Sequence, residues 1–202
     1  MIIGGRAQEV YSEDVKLTGD LTVGFVTGAQ GSSPTGVPEE KELLTVACCK
    51  HLAAYDLENF GVGTPPNNGV VDRVQFDANI TSRNLWEFFL PAFESCLKDG
   101  KGASVMCSFN SINGVPSCAN APLINGVLRK KWGWDGFVMS DYDAWENLVT
   151  PQGYADNFTQ AAAMGINAGM DQEGGGTNAI LKLGDAGTTF HLTVLPFDCL
   201  RF

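Results

Sequence analysis

The chain has 202 residues, a formal net charge of -10 at pH 7, and 44% hydrophobic residues. That length and apolar content suffice for one sizeable core. The negative charge argues against nucleic acid or an anionic membrane surface as a partner, and no apolar run approaches membrane-spanning length.

Regular structure is weakly indicated at the start of the chain. Residues 1–36 are poor in periodicity and rich in Gly, Ser and Thr, which predicts irregular structure. Residues 38–44 predict a helix or a helix end, because charged residues precede an apolar run. Residues 45–49 then predict a compact strand of small residues.

The adjacent residues Lys50 and His51 follow that strand and are candidate functional residues. Lysine offers three hydrogen-bond donors and histidine a donor or an acceptor, which suits a polyhydroxylated ligand. The alternative for His51 is a satisfied histidine in the core. Because consecutive strand residues point to opposite faces, both side chains can reach one ligand only if the backbone is irregular. We therefore predict a bulge or a cis peptide bond at Lys50-His51.

Turn signals dominate the next stretch, up to residue 80. Partial alternation over 70–80 predicts a β-excursion, in which Arg73 and Asp77 are interpreted as solvated residues. A helix is then predicted from 82 to about 97, with Ser82 or Asn84 as its cap and a kink or restart at Pro91.

The six cysteines show no metal-binding pattern. Residues 103–110 predict a strand, and a turn-rich segment follows it. Cys107 and Cys118 flank that segment, so a disulfide between them is plausible, with two buried thiols as the alternative. Cys96 and Cys199 have no evident partner.

A helix over 122–132 leads into a short apolar strand at 137–139, which ends at Ser140-Asp141. In α/β folds, polar residues at the carboxyl ends of strands usually carry the chemistry, so Asp141 is the first carboxylate to consider. The alternative is that Asp141 caps a following helix, for which Asp143 is the better candidate.

The last recognisable elements are a helix over 157–168 and a glycine run at 174–176. That run is interpreted as a flexible loop, because no Lys-Ser or Lys-Thr pair follows it to form a phosphate-binding loop.

The eighteen residues from 127 to 144, VLRKKWGWDGFVMSDYDA, resemble the active-site signature of glycoside hydrolase family 3. Aliphatic, basic, glycine and apolar positions match in register up to Ser140-Asp141 and Ala144. The resemblance implies that Asp141 is the nucleophile of a retaining glycosidase, with Tyr142 beside it in contact with substrate.

Three further motifs extend the resemblance. Lys50-His51 matches the pair that binds hydroxyls of the sugar in the cleavage subsite. Met106 opens Met-Cys-Ser-Phe-Asn, which implies packing against the sugar, with core filling as the alternative; Phe109 stands where the family has a tyrosine that hydrogen-bonds the nucleophile. Arg6, in Gly-Arg-Ala-Gln-Glu, matches the sugar-holding arginine of the xylosidase branch, with a solvated arm as the alternative.

The resemblance implies an α/β fold, an incomplete (β/α)8 TIM-like barrel over residues 1–183, followed by an unrecognised tail over 184–202. A full barrel needs about 250 residues. The family's upstream aspartate and the sandwich domain that supplies its acid/base glutamate have no counterpart in the sequence.

The expected function is hydrolysis of O-glycosyl bonds by an exo-acting β-xylosidase-like domain in xylan breakdown, with weak or no activity where the acid/base is missing. A non-catalytic sugar-binding remnant, an unstable fragment, or β-glucosidase-like specificity are the alternatives. A carbohydrate is the expected partner, with no metal or cofactor.

The sequence features that bear on location point in two directions. No signal peptide is apparent in this chain, since the first residues run directly into a glycine-rich segment. The family resemblance and two glycosylation sequons, which begin at Asn79 and Asn157, favour a secreted protein. Such triplets also arise often by chance.

Overall fold

The structure is a computed structural model that describes residues 7–31, 43–60 and 71–175. Its centre is a parallel sheet of three strands, β1 (Cys48–Leu52), β2 (Ser104–Cys107) and β3 (Phe137–Ser140), in the order β1-β2-β3. On the outer side of β3, Met139 forms a parallel bridge with Gln172, so the chain adds a fourth parallel position to the sheet beside β3.

Helices alternate with these strands. A helical run over 82–99, here α2, joins β1 to β2, and α3 (Pro122–Lys131) joins β2 to β3. The helix α4 (Phe158–Ala168) leads to the bridge at Gln172. Short strands lie on the rim at Asn59–Phe60, Val71–Asp72, Asp77–Ala78, Ser111–Ile112 and Val115–Pro116, and single helical turns at Ala7–Glu9, Ser117–Ala119 and Glu146–Leu148. No described helix is long and apolar enough to cross a membrane.

A helix of 16 residues, α1 (Val15–Gln30), replaces the irregular structure predicted near the start of the chain. The Asp14 side chain accepts from the Leu17 amide at its beginning, and Gly31 ends it in a left-handed conformation. Its buried positions include Gly19 and the polar Gln30, so the buried face has no apolar stripe for periodicity to detect. The predicted helix at 38–44 lies mainly outside the described residues.

The side chain of Gln30 fastens α1 to the amino ends of β1 and β2. It is 1% exposed. Its Oε1 accepts from the amides of Ala47 and Ala103 at 3.1 and 3.0 Å, and its Nε2 donates to the carbonyl of Lys101 at 2.9 Å. One amide group thus satisfies three backbone groups that precede the strands.

The helical run α2 consists of Ser82–Asn84, Leu85–Phe89, Pro91–Glu94 and Ser95–Asp99. Thr81, rather than the predicted Ser82 or Asn84, is the N-cap, and its side chain accepts from the Asn84 amide. The helix restarts at Pro91, as predicted, since a proline needs no amide partner in the first turn.

The core lies between the sheet and the helices. Leu52, Val105 and Val138 are 0% exposed, one from each strand. The helices contribute further buried side chains: Leu90, Leu97, Ile124, Leu128 and Ala161. Trp145 is also fully buried, and its Nε1 donates to the carbonyl of Ala161 at 2.7 Å, so the segment after β3 is anchored against α4.

Two disulfides cross-link the described residues. Cys107 pairs with Cys118, as one of the two predicted alternatives requires. Cys96 does have a partner, contrary to prediction: it bonds to Cys49 and ties α2 to β1, with 6.6 Å between the two Cα atoms. Cys48 is a free thiol, and Cys199 lies outside the described residues.

Candidate active site

The carboxylate of Asp141 lies where β3 ends. Its amide donates to the carbonyl of Cys107 at 3.1 Å, so the residue continues the ladder with β2. Its Oδ1 accepts from the adjacent Tyr142 amide at 2.7 Å, and 16% of the side chain is exposed. The next helical turn, Glu146–Leu148, has no side-chain cap, so the capping role considered for Asp141 and Asp143 is not found.

His51 faces this carboxylate from β1. Its Nε2 lies 3.2 Å from Oδ2 of Asp141, and the His51 side chain is 8% exposed. The ring of Tyr55 packs edge-on against the imidazole, with 5.1 Å between centroids. Two residues 90 positions apart in the sequence therefore meet at the carboxyl edge of the sheet, where the sequence pattern places chemistry.

The predicted backbone irregularity is present between these elements. The Lys50-His51 peptide bond is cis, and the register of β1 with β2 shifts between Cys49 and Leu52. The ammonium of Lys50 lies 2.5 Å from Oε2 of Glu9, with about 40% of each side chain exposed. The turn that carries Glu9 therefore lies beside the site. Arg6, three positions earlier, is outside the described residues.

A buried polar network holds the turn that follows His51. Asn110 donates from Nδ2 to the carbonyl of Ala53 at 3.2 Å, and Ser108 donates from Oγ to the carbonyl of Leu52 at 3.1 Å. Asn110 and Ser108 are 0% and 1% exposed. This network gives the Ser-Phe-Asn motif after Met106 a structural role that its sequence did not reveal.

A cleft of about 360 Å³ opens on Asp141, at the lower end of the usual range for ligand pockets. Its lining residues are Arg73, Val74, Phe109, Asp141, Tyr142, Asp143 and Asn147. Tyr142 is 65% exposed at its edge. Lys50, His51 and Met106 do not line it. Met106 lies half-buried within β2, in register with Met139. Of the site residues that the family resemblance indicates, Asp141 and Tyr142 thus line this cleft.

Arg73 was interpreted as solvated, and that interpretation is wrong. Its Nη1 lies 3.3 Å from Oε1 of Glu58, and its guanidinium carbon lies 5.1 Å from the ring centroid of Phe109. The side chain is 29% exposed. The residue stands in a turn-rich segment without periodicity, so no sequence signal distinguished it. Phe109, 7% exposed, also packs against Tyr55.

The other carboxylates near Asp141 differ in surroundings. Asp171 forms an ion pair with Arg129 at 2.9 Å and accepts from the Val138 amide at 2.7 Å, so it holds the backbone of β3. Asp143 lines the cleft and has a left-handed φ of 61°. Within residues 7–31, 43–60 and 71–175, no group of three or more His, Cys, Asp or Glu side chains could hold a metal ion.

Comparisons with known proteins agree on one family. The sequence matches the Glycosyl hydrolase family 3 N terminal domain over residues 3–185. It is 41% identical to an exo-1,4-β-xylosidase of Emericella nidulans over 174 residues, which cover 85% of this chain and 21% of that protein.

Two solved structures resemble the fold closely. An exo-β-xylosidase of family 3, in complex with a xylobiose aziridine activity-based probe, gives a TM-score of 0.75 at 37% identity, covering 86% of this chain and 21% of that one. A β-glucosidase from Erythrobacter marinus gives 0.74 at 27% identity, covering 90% and 22%. The chain spans about a fifth of the length of these proteins. The likeness confirms the predicted fold class, an incomplete TIM-like (β/α)8 barrel.

Proposed function

Because the chain belongs to glycosyl hydrolase family 3, we propose that it carries the nucleophile and part of the sugar site of a retaining, exo-acting β-xylosidase. The observation that supports this most directly is the 3.2 Å approach of His51 to Asp141 at the carboxyl edge of the sheet. A carboxylate that lines a ligand-sized cleft and has a hydrogen-bonding side chain beside it suits attack on a sugar.

In the proposed reaction, an oxygen of Asp141 attacks the anomeric carbon and the bond to the leaving oxygen breaks. A covalent glycosyl-enzyme ester forms, and water then cleaves it with overall retention of configuration. The departing oxygen needs a proton, which a second carboxyl group about 5–5.5 Å from the nucleophile supplies in retaining enzymes. We propose that this acid/base group lies outside the described residues, since none of their carboxylates matches the family's acid.

Substrate binding would come mainly from the donors around Asp141. Lys50 and His51, which do not line the cleft, would donate to hydroxyls of the attacked sugar from the β1 side of Asp141, and Arg6 would join them from the preceding segment. Tyr142, at the edge of the cleft, and Met106, half-buried in β2, would pack against the rings. Phe109 lines the cleft and carries no hydroxyl, so the nucleophile would lack the hydrogen bond that the resemblance gives to a tyrosine here. We therefore expect slower attack than in relatives with that tyrosine.

The relatives leave two sugars to consider, xylose and glucose. The 41% identical relative is named a xylosidase, and the similar structures include both a xylosidase and a glucosidase. We propose xylose-terminated oligosaccharides, as released in xylan breakdown, as substrates. We also propose a secreted glycoprotein, supported by the two sequons.

Covalent trapping tests the nucleophile without needing an acid. A 2-deoxy-2-fluoro-β-xyloside with a dinitrophenolate leaving group should add one fluoroxylosyl mass to the peptide that contains Asp141. Asp141→Asn, which keeps the shape but removes the charge, should not be labelled. The matched control Asp143→Asn should still be labelled at Asp141. The proposal is refuted if the probe labels a residue other than Asp141. It is also refuted if the probe labels neither the native chain nor the Asp143→Asn control.

Turnover then tests the missing acid. An activated aryl xyloside needs little protonation on departure, whereas xylobiose needs a full proton transfer. We expect Asp141-dependent turnover of the aryl xyloside and little of xylobiose. Equal turnover of both would mean that a carboxyl group of this chain supplies the proton, which would contradict the expected lack of an acid/base.

A sugar-binding domain without catalysis is the second candidate, favoured by Phe109 in the cleft. In that case xylose would raise the midpoint of a cooperative thermal unfolding transition, while the fluoroxyloside would label nothing. The glucose-configured probe and free glucose, used in parallel, distinguish the two sugar specificities.

A further inference from the structure

The glycine run after Gln172 is packed tightly where the structure describes it, rather than forming the flexible loop that was predicted. The amide of Gly174 donates to Oγ of Ser140 at 2.8 Å, and Ser140 Oγ donates back to the Gly174 carbonyl at 3.3 Å. Ser140 is 1% exposed. This reciprocal pair is therefore part-buried, and it lies on the residue immediately before Asp141.

The same glycine also binds the far end of the turn. The amide of Asp143 donates to the Gly174 carbonyl at 2.7 Å. Asp143 adopts a φ of 61°, a region that L-residues other than glycine seldom occupy. The backbone around Asp141 is thus fixed on both sides by one residue that the sequence places 33 positions later.

Gly174 approaches the turn too closely for a side chain. A Cβ on Gly174 would lie 2.8 Å from the backbone oxygen of Ser140, whereas one on Gly175 would meet the movable Oδ1 of Asp143 at 2.5 Å. The φ of Gly174 is not positive, so close approach, and not backbone conformation, requires glycine at this position.

We propose that Gly174 is a positioning residue for the nucleophile. Its backbone clamps the turn from Ser140 to Asp143 and thereby sets where the Asp141 carboxylate meets the anomeric carbon. This inference rests on the proposed function. Attack requires the reacting atoms about 3–3.5 Å apart and aligned, and a displacement of about 1 Å can cost about 100-fold in rate.

A change in the glycine clamp should affect the rate of attack by Asp141 but not the binding of the sugar. His51 belongs to β1 and Lys50 pairs with Glu9, so the residues proposed to donate to the sugar hydroxyls lie outside the clamped turn. Tyr142 is the proposed sugar contact within that turn, and at 65% exposure we expect it to contribute little to binding. A disturbed clamp should slow covalent labelling of Asp141 while the concentration of probe needed for half-maximal labelling stays the same. A general loss of folding would instead reduce the labelled fraction and lower the unfolding midpoint.

The test measures kinact and KI for the fluoroxyloside in the native chain, Gly174→Ala and Ser140→Ala. We expect Gly174→Ala to lower kinact by about 10- to 100-fold with KI unchanged. Ser140→Ala removes the reciprocal hydrogen bonds without adding atoms, so it tests the positioning role if Gly174→Ala does not fold. A loss of about tenfold in kinact corresponds to one buried hydrogen bond. Gly24→Ala, in α1 with nothing within 4 Å of the added Cβ, is the matched control and should match the native chain.

The outcomes separate the two proposals. If the native chain is not labelled at Asp141, the proposed function fails and the positioning role fails with it. If the native chain is labelled and the folded variants keep its kinact, or change KI instead, only the positioning role is overturned. A fall in kinact alone, in a variant with a native unfolding midpoint, supports it.

Discussion

The cross-link between Cys49 and Cys96 should contribute more to stability than the cross-link between Cys107 and Cys118. The first joins residues 47 positions apart, the second residues 11 positions apart. A disulfide lowers the conformational entropy of the unfolded chain by an amount that rises with the logarithm of the number of residues in the closed loop. The resulting stabilisation is about 4 kcal/mol for the longer loop and about 3 kcal/mol for the shorter. The difference of about 1 kcal/mol is large enough to measure.

Two double variants make the comparison. Cys49→Ala with Cys96→Ala, and Cys107→Ala with Cys118→Ala, each remove one cross-link and leave no new free thiol. Urea unfolding followed by tryptophan fluorescence gives the free energy of each relative to the native chain. For a domain of this size, 1 kcal/mol shifts the melting temperature by about 2–4 °C, so the first pair should lose about 8–16 °C and the second about 6–12 °C.

If removal of the Cys107–Cys118 bond costs as much as removal of the Cys49–Cys96 bond, or more, loop length does not control the effect. Reduction of the native chain with dithiothreitol provides the check, because it breaks both disulfides without replacing any side chain. The loss on reduction should approach the sum for the two pairs, about 7 kcal/mol.

Three further outcomes follow from single side chains. Burial raises the pKa of the Cys48 thiol, so its thiolate is scarce at neutral pH. Iodoacetamide should label it slowly at pH 7 and faster only above the ordinary thiol pKa of about 8.5. Rapid labelling at pH 7 would contradict this. Gly165 faces the indole of the fully buried Trp145, so Gly165→Ala should cost about 1–3 kcal/mol in urea unfolding, whereas Gly24→Ala should cost nothing. Asn79 is exposed, so a secreted preparation should lose one glycan mass in Asn79→Gln, and an unchanged mass after endoglycosidase treatment would exclude this site.

The sequence predicted the elements whose signals are local. The helices near Pro122 and Asn157 and the strand before Asp141 have clear periodicity or apolar runs. The irregular peptide at Lys50-His51 was also predictable, because two adjacent side chains cannot share a face of a regular strand.

The features that were not predicted depend on contacts between residues far apart in the sequence. The helix α1 buries a glutamine and a glycine, so its pattern is not amphipathic in the usual sense. The partner of Cys96 is 47 residues away, and cysteine pairings cannot be derived from spacing alone. Arg73 and Gly174 were assigned to solvent and to a flexible loop, because turn-rich segments give no indication of what they pack against.

The amide of Gln30 has a consequence for how the molecule divides its tasks. It satisfies backbone groups at the amino ends of two strands, while Asp141 and His51 meet at the carboxyl ends. The two ends of the sheet are thus held by different contacts. Substitutions around Gln30 would therefore act on stability first, whereas substitutions around Asp141 and His51 would act on the site directly.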